Sequence, residues 1–187
     1  TRATTGTRIN EDGYIEDVPY NLVKNSQDIP TTSSGGWIIQ GGVTVTKNYA
    51  AAPDGSMTAD KIVGNGTNGV YQQVLNLDGV IARSVYLKSI TGNVNVVLKD
   101  PSLTVTQKTL NLTESWQRYD LIEDNNNAGN AQGLWIDDIP TSGILMWGSQ
   151  IVRGEKIKDY LPTTDGLNLP RLNYPTYGGC PSLLVEP

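Results

Sequence analysis

The sequence predicts an all-β protein: an antiparallel two-sheet β-sandwich of the jelly-roll type, with extended N- and C-terminal arms. About nine short runs with strand character follow one another at intervals of roughly 8–12 residues, as in sandwiches and barrels. Turn-forming residues separate the runs, in a chain that has 20 Gly and 10 Pro among its 187 residues. No stretch of about 11 or more residues has the apolar spacing of an amphipathic helix.

The predicted strands begin at Trp37. Residues 81–88 alternate most regularly and place Ile81, Val85 and Leu87 on one face. The other predicted strands are residues 37–40, 43–46, 69–77, 94–99, 103–112, 116–122, 133–139 and 144–152, whereas residues 58–63 are ambiguous. A closed barrel would fit the same pattern, so the sequence leaves it open as an alternative.

The chain divides into a connector arm at residues 1–20, a sandwich domain at residues 21–164 and a Pro/Gly-rich connector arm at residues 165–187. Proline fixes φ and lacks the N–H that a sheet ladder needs, so the second arm is predicted to be extended. We expect both arms to lie on neighbouring subunits or to link further domains. The first residue is Thr1, which favours a processed product or an excerpt of a longer chain.

Composition argues against several functions. Histidine is absent, which excludes Ser-His-Asp and Cys-His catalysis and histidine metal sites. The one cysteine, Cys180, cannot form a disulfide within the chain, so we expect a buried or interfacial thiol. The net charge of −5 disfavours a nucleic-acid partner. No apolar run is long enough to predict membrane insertion.

Catalysis by paired acids is not predicted. Asp137 and Asp138 are adjacent on a predicted strand and therefore point to opposite faces. A glycosidase needs two carboxylates that face one gap. Glu114, Glu123, Asp120 and Asp137 could converge from different strands, but solvated carboxylates and turn caps are the favoured interpretation. The 64–69 segment is glycine-rich but contains no Lys, so it is predicted to be a hairpin connection and not a phosphate-binding loop.

Calcium is the one cofactor that the residues suggest. Sandwich modules can hold a structural Ca²⁺ with carboxylate and carbonyl oxygens. The metal-ligand candidates are Asp54, Asp60 and Asp138. For Asp54, a role as the turn residue of Pro53-Asp54-Gly55 is the alternative.

Aromatic residues suggest a glycan-binding face. Sugar-binding surfaces combine Trp and Tyr rings, on which sugar CH groups stack, with Asn, Asp or Gln side chains that hydrogen-bond hydroxyls. The candidates for such a face are Tyr71, Gln73, Tyr86, Asn95 and Trp135. The chain has no Phe, so tryptophans must also fill its core, and this is the favoured role of Trp116 and Trp147.

Several motifs together resemble a known family. In chain order they are NLVKNS at residues 21–26, VTVT at 43–46, APDGSMTADK at 52–61, SVYLKS at 84–89, WQRY at 116–119, MWGSQI at 146–151 and YLPT at 160–163. This ordered set resembles the carbohydrate-binding-module-like β-sandwich domain of tailed-bacteriophage virion proteins, such as tail fibres, tail spikes and head fibres. Residues 2–10, 170–174 and 180–187 resemble connectors between domains of such fibres.

The resemblance implies a structural, non-enzymatic component of a virion appendage. It implies a homotrimer that contacts other virion proteins on the particle surface and attaches to host-surface glycan. Three alternatives stay open: an accessory module of a secreted polysaccharide-degrading enzyme, a glycan depolymerase and a capsid decoration protein.

Overall fold

A computed structural model describes residues 7–9, 14–17, 20–74, 79–101, 107–125, 132–164, 171–173 and 182–184. Every regular element in these ranges is a β-strand. No helix in the described ranges is long and apolar enough to cross a membrane.

Two five-stranded antiparallel sheets form the body of the protein. Sheet I has the order β10-β7-β12-β5-β4, with β4 at Thr44–Ala50, β5 at Ala59–Val63, β7 at Gly79–Ser89, β10 at Gln117–Asn125 and β12 at Ile144–Arg153. Sheet II has the order β3-β6-β11-β8-β9, with β3 at Trp37–Ile39, β6 at Val70–Val74, β8 at Val94–Lys99, β9 at Gln107–Leu112 and β11 at Gln132–Asp137. The prediction of an all-β antiparallel sandwich is confirmed, and the ambiguous segment 58–63 contains β5.

Near each end of the chain, the described residues form a short antiparallel strand pair. β1 (Thr7–Ile9) pairs with β2 (Ile15–Asp17), and β13 (Arg171–Asn173) pairs with β14 (Ser182–Leu184). The backbone of β1 lies close to that of β13. The division into two arms and a sandwich stays a prediction, and Cys180 lies outside the described residues.

Aliphatic side chains fill the space between the two sheets. Alternate residues point inward, so that Leu87 of β7 and Leu134 of β11 are both fully buried. Trp37 is the largest of the fully buried side chains, at 1% exposure. The chain has no Phe, and Trp37 supplies a large aromatic ring to the core. Burying each such side chain stabilises the fold by about 1.5–3 kcal/mol.

A buried ion cluster links the two sheets. Arg83 of β7 is fully buried and pairs with Asp100, which follows β8, and with Glu123 of β10 at 3.2 Å. Its Nε also donates a hydrogen bond to the carbonyl of Gly133 in β11. The guanidinium is therefore compensated by charges and by a backbone acceptor, as a buried cation requires.

The segments that enter and leave the sandwich are bonded to each other and to β12. The side chain of Asn21 donates to the carbonyls of Ser149 and Leu161, each at 2.9 Å, and accepts from the backbone N–H of Val23 and Ile151. Leu161 N–H in turn donates to the side chain of Gln150 at 2.7 Å. The chain after β12 is thereby held against the outer face of sheet I.

The glycine-rich 64–69 segment is not a hairpin connection, contrary to the prediction. It joins β5 of sheet I to β6 of sheet II. Gly64 and Gly66 donate backbone hydrogen bonds to Pro140 and Ile139. A Cβ on Gly64 would collide with the carbonyl of Ile139, so the close approach of these two connections requires glycine there.

Candidate functional site

The outward-facing side chains of sheet II form the candidate site. Along β6, buried Val70 and Gln72 alternate with the outward-facing Tyr71 and Gln73. The same alternation in β8 and β11 turns Asn95 and Trp135 outward. Four of the five residues predicted for a glycan-binding face, Tyr71, Gln73, Asn95 and Trp135, therefore share one sheet surface.

Tyr71 and Trp135 form an aromatic pair in the middle of this surface. They are direct cross-strand partners in the antiparallel pairing of β6 and β11. Their ring centroids are 5.0 Å apart at an interplanar angle of 35°, and both side chains are partly exposed. Ile38 of β3 is paired with Tyr71 on its other side. The pairing thus creates a partly open apolar platform across three strands.

An ion pair flanks the platform on the β8 side. Lys99 is the cross-strand partner of Trp135, and its Nζ lies 3.9 Å from the centre of the Trp135 ring. The same Nζ is 2.5 Å from Oδ2 of Asp137, two residues after Trp135. Tyr71 and Lys99 belong to the two strands that flank β11, so they approach Trp135 from opposite sides.

Neutral polar groups and glycines surround the rings. Gln73 is exposed beside the platform, and Asn111 of β9 donates to the side chain of Asn95 at 3.0 Å. Gly133 precedes Trp135 by two residues, and Gly69 precedes Tyr71 by two residues. A Cβ on either glycine would collide with the backbone of the neighbouring strand. The two rings therefore lie between two glycines that have no side chain. The amide groups of Gln73 and Asn95 belong to the same surface.

Tyr86, the fifth predicted glycan-binding residue, lies on sheet I. It is the cross-strand partner of Trp147, with ring centroids 5.4 Å apart, and Tyr160 packs against both rings. Trp147 is only 5% exposed and donates to the hydroxyl of Thr58 at 2.9 Å. Burial raises the pKa of the Tyr160 hydroxyl, which hydrogen-bonds to Ser26. The predicted core role of Trp147 is confirmed, and Trp116 packs at the edge of the same cluster.

The three metal-ligand candidates have separate surroundings. Asp54 accepts hydrogen bonds from Ser56, which lower its pKa. Asp60 is buried in β5 and accepts the N–H groups of Ile29 and Asn48, while burial raises its pKa to about 6. Asp138 is exposed and follows β11 with φ at 55°. Among the described residues, no three His, Cys, Asp or Glu side chains form a group that could hold a metal ion, so calcium stays a prediction.

The acids considered for catalysis lie in separate parts of the fold. Asp137 is on sheet II, whereas Asp120 and Glu123 belong to β10 of sheet I. Glu123 is paired with the buried Arg83, and Glu114 accepts a hydrogen bond from the N–H of Gly92. No facing pair of carboxylates is formed by these four residues.

Sequence reasoning did not identify Lys99 as part of this surface, and it considered Asp137 only as a catalytic acid. Lys99 contacts the Trp135 ring and pairs with Asp137 because β8 pairs with β11. Alternation within one strand shows which of its residues share a face, but it does not show which strands are neighbours. The missing information was therefore the strand order of sheet II.

Comparisons with known proteins detect similarity in structure only. No protein-family profile and no curated protein matches the sequence. The CBM22-1 xylan-binding domain of Paenibacillus barcinonensis Xyn10C is 18% identical, with a TM-score of 0.50 over 70% of this chain and 92% of that domain. TmCBM61, solved with β-1,4-galactotriose, is 14% identical, with a TM-score of 0.52 over 72% of this chain and 99% of the module.

An exo-β-agarase matches over 75% of this chain but only 26% of its own, at 8% identity and a TM-score of 0.53. The similarity to the two binding modules extends over nearly all of their length, whereas it covers about a quarter of the enzyme. Identities this low show the fold alone. The chain therefore has the β-sandwich fold of carbohydrate-binding modules.

Proposed function

We propose that the protein is a non-catalytic glycan-binding module that binds sugar on the outer face of sheet II. The observation that carries the proposal is the partly exposed Tyr71–Trp135 pair at the centre of that sheet. Aromatic rings in an open surface offer apolar faces to the CH groups of a sugar ring. The rings lie beside Gln73 and the Asn95–Asn111 pair, whose amides can both donate to and accept from sugar hydroxyls.

Among the described residues, the four acids considered for catalysis form no facing carboxylate pair, and this supports binding without bond cleavage. Asp137 is an acid beside the platform, and its Oδ2 pairs with Lys99. Glycoside hydrolysis requires a second carboxyl group across the scissile bond. Neutral oligosaccharides are the ligand class proposed for this surface, by analogy with the xylan-binding and galactotriose-bound modules that share the fold.

Calorimetric titration of the full chain with xylohexaose, β-1,4-galactotriose and agaro-oligosaccharides tests this function. We expect Tyr71→Ala and Trp135→Ala to weaken binding of the recognised sugar at least about tenfold, since buried aromatic contacts dominate such interfaces. Tyr49→Ala is the matched control, because Tyr49 is 48% exposed on β4 of sheet I. Equal losses in all three variants would contradict a site on sheet II.

We further propose that this module is part of a bacteriophage virion appendage, where it assembles as a homotrimer and attaches to host glycan. The ordered motifs between residues 21 and 164 support this role. The closeness of β1 to β13 is also compatible with it, because it brings the two terminal strand pairs together. Weak sugar contacts on a trimer would add up through multivalency.

Sedimentation analysis of the full chain and immunogold labelling of phage particles test the assembly role. A trimer, with label on a tail or fibre, is the expected result, whereas label on the head would favour a capsid decoration protein. A monomer that binds a defined oligosaccharide on its own would favour the accessory module of a secreted polysaccharide-degrading enzyme.

A further inference from the structure

Two buried polar atoms on the outer face of sheet II have no partner. Within the part of the chain that the structure describes, Nε1 of Trp135 and Oδ1 of Asp137 make no hydrogen bond. Asp137 is 6% exposed, so its second oxygen is withheld from bulk water. Buried polar atoms are nearly always paired in folded proteins, and a donor and an acceptor left unpaired by the chain can be satisfied by ordered water or by a ligand hydroxyl.

The two atoms are complementary to each other. Residues two apart on a strand project from the same side, so the side chains of Trp135 and Asp137 lie on the same face of sheet II. The indole N–H can only donate, and an ionised carboxylate oxygen can only accept. A hydroxyl group does both, so one sugar hydroxyl could accept from Trp135 and donate to Asp137.

Lys99 contacts both of these side chains. Its ammonium contacts both the face of the Trp135 ring and Oδ2 of Asp137, and its side chain is 20% exposed. A lysine stem is flexible, so its rotation can uncover the face of the Trp135 ring without moving the sheet. The ammonium is already neutralised by Asp137, so it is not a free cation that could attract an acidic sugar.

We propose that Trp135, Asp137 and Lys99 form a polar subsite that binds an uncharged sugar hydroxyl and rejects acidic sugars. This inference rests on the proposed glycan-binding function of the same face. A uronate carboxylate cannot donate to Asp137 and would meet its negative charge at close range, where like charges repel strongly. The net charge of −5 on the chain adds to that repulsion at low ionic strength.

Calorimetric titration with two ligand sets of matched length tests the subsite: the neutral oligosaccharides named above and oligogalacturonate. We expect the wild-type chain to bind its neutral ligand at least about tenfold more tightly than oligogalacturonate. Asp137→Asn removes the repulsion and frees the Lys99 cation, so oligogalacturonate binding should strengthen about tenfold while neutral binding changes less. Lys99→Met should shift the preference the other way, further against the acidic ligand.

The matched controls are Asp120→Asn and Lys108→Met. These residues form an exposed pair, 3.6 Å apart, between β10 and β9, and they change the net charge of the chain by the same amounts. Both controls should leave the preference for neutral sugar unchanged within about twofold. Circular dichroism melting curves establish that each variant is folded. If Asp137→Asn is unfolded, the sugar preference of Lys99→Met tests the subsite in its place.

The failure of the subsite differs from the failure of the proposed function. A wild-type chain that binds neutral sugar through Tyr71, but accepts oligogalacturonate equally well, overturns the subsite alone. Equal shifts in Asp137→Asn and Asp120→Asn also overturn it, because long-range charge would then explain the preference. A chain that binds none of these sugars overturns both proposals.

Discussion

The two sheets contain the same cross-strand pair in two different environments. On sheet II, Trp135 faces Tyr71, and on sheet I, Trp147 faces Tyr86. The indole N–H of Trp147 donates to Thr58, whereas that of Trp135 has no partner among the described residues. Tyr160, from the segment after β12, packs on the sheet I pair.

The difference shows that the same aromatic pair can be buried or partly exposed. Which of the two occurs depends on whether another segment of the chain packs over the rings. Asn21 and Gln150 hold the segment around Leu161 against sheet I through side-chain hydrogen bonds. On sheet II, the described residue in comparable contact with the Trp ring is Lys99, a flexible cation. One surface is covered by bonded backbone and the other by a side chain that can move.

Alanine substitution of the two tryptophans should give the largest contrast. Trp147→Ala removes a buried side chain, so we expect the free energy of unfolding to fall by about 3–5 kcal/mol, with sugar binding retained below the melting temperature. Trp135→Ala should lower it by only about 1–2 kcal/mol and weaken sugar binding at least about tenfold. Urea denaturation and calorimetric titration measure the two effects, and equal stability losses would refute the contrast.

Removing the Asn21 side chain should have the next largest effect. Asn21→Ala leaves two carbonyls and two N–H groups around β12 without their partner, so unfolding should become easier by about 2–3 kcal/mol. The control is Asn95→Ala on the exposed face of sheet II, which should stay within about 0.5 kcal/mol of wild type. Similar losses at both positions in urea denaturation would show that Asn21 does not anchor the covering segment.

Protonation of Asp60 should affect stability on sheet I but not binding on sheet II. Its pKa is about 6 in the folded chain, against an ordinary value of 3.8, because burial disfavours the charged form. The folded state therefore holds this proton more tightly, and the resulting stabilisation is complete below pH 4 and lost as the pH rises through 6. The size is on the order of 1 kcal/mol after allowance for solvent screening.

Urea denaturation between pH 4 and pH 7, compared with Asp60→Asn, isolates this contribution. The difference in unfolding free energy between wild type and variant should change across that range, with the wild type losing stability relative to Asp60→Asn as the pH rises. A difference that is constant with pH would contradict the raised pKa. Sugar affinity should be the same in both chains at each pH.

Strand positions could be predicted from the sequence better than the candidate site could. Period-two alternation identifies 81–88 and 94–99 almost as the structure has them, in β7 and β8. The site depends on which strands are neighbours, since Trp135 meets Lys99 only through pairing of strands far apart in sequence. Tyr86 had the same local signal as Tyr71, but it lies on sheet I, where Tyr160 packs against its ring.

Removing one hydroxyl from each aromatic surface should give the smallest effects and the finest comparison. Tyr160→Phe loses the 2.7 Å hydrogen bond to Ser26, but Ser26 keeps its bond from the N–H of Thr163. Stability should therefore fall by only about 0.5–1 kcal/mol in urea denaturation. Tyr71→Phe retains the ring, so the free energy of unfolding should stay close to that of the wild type. The sugar affinity should change by no more than about twofold. A large loss of affinity in Tyr71→Phe would show that the tyrosine hydroxyl, and not the ring face, makes the contact with sugar.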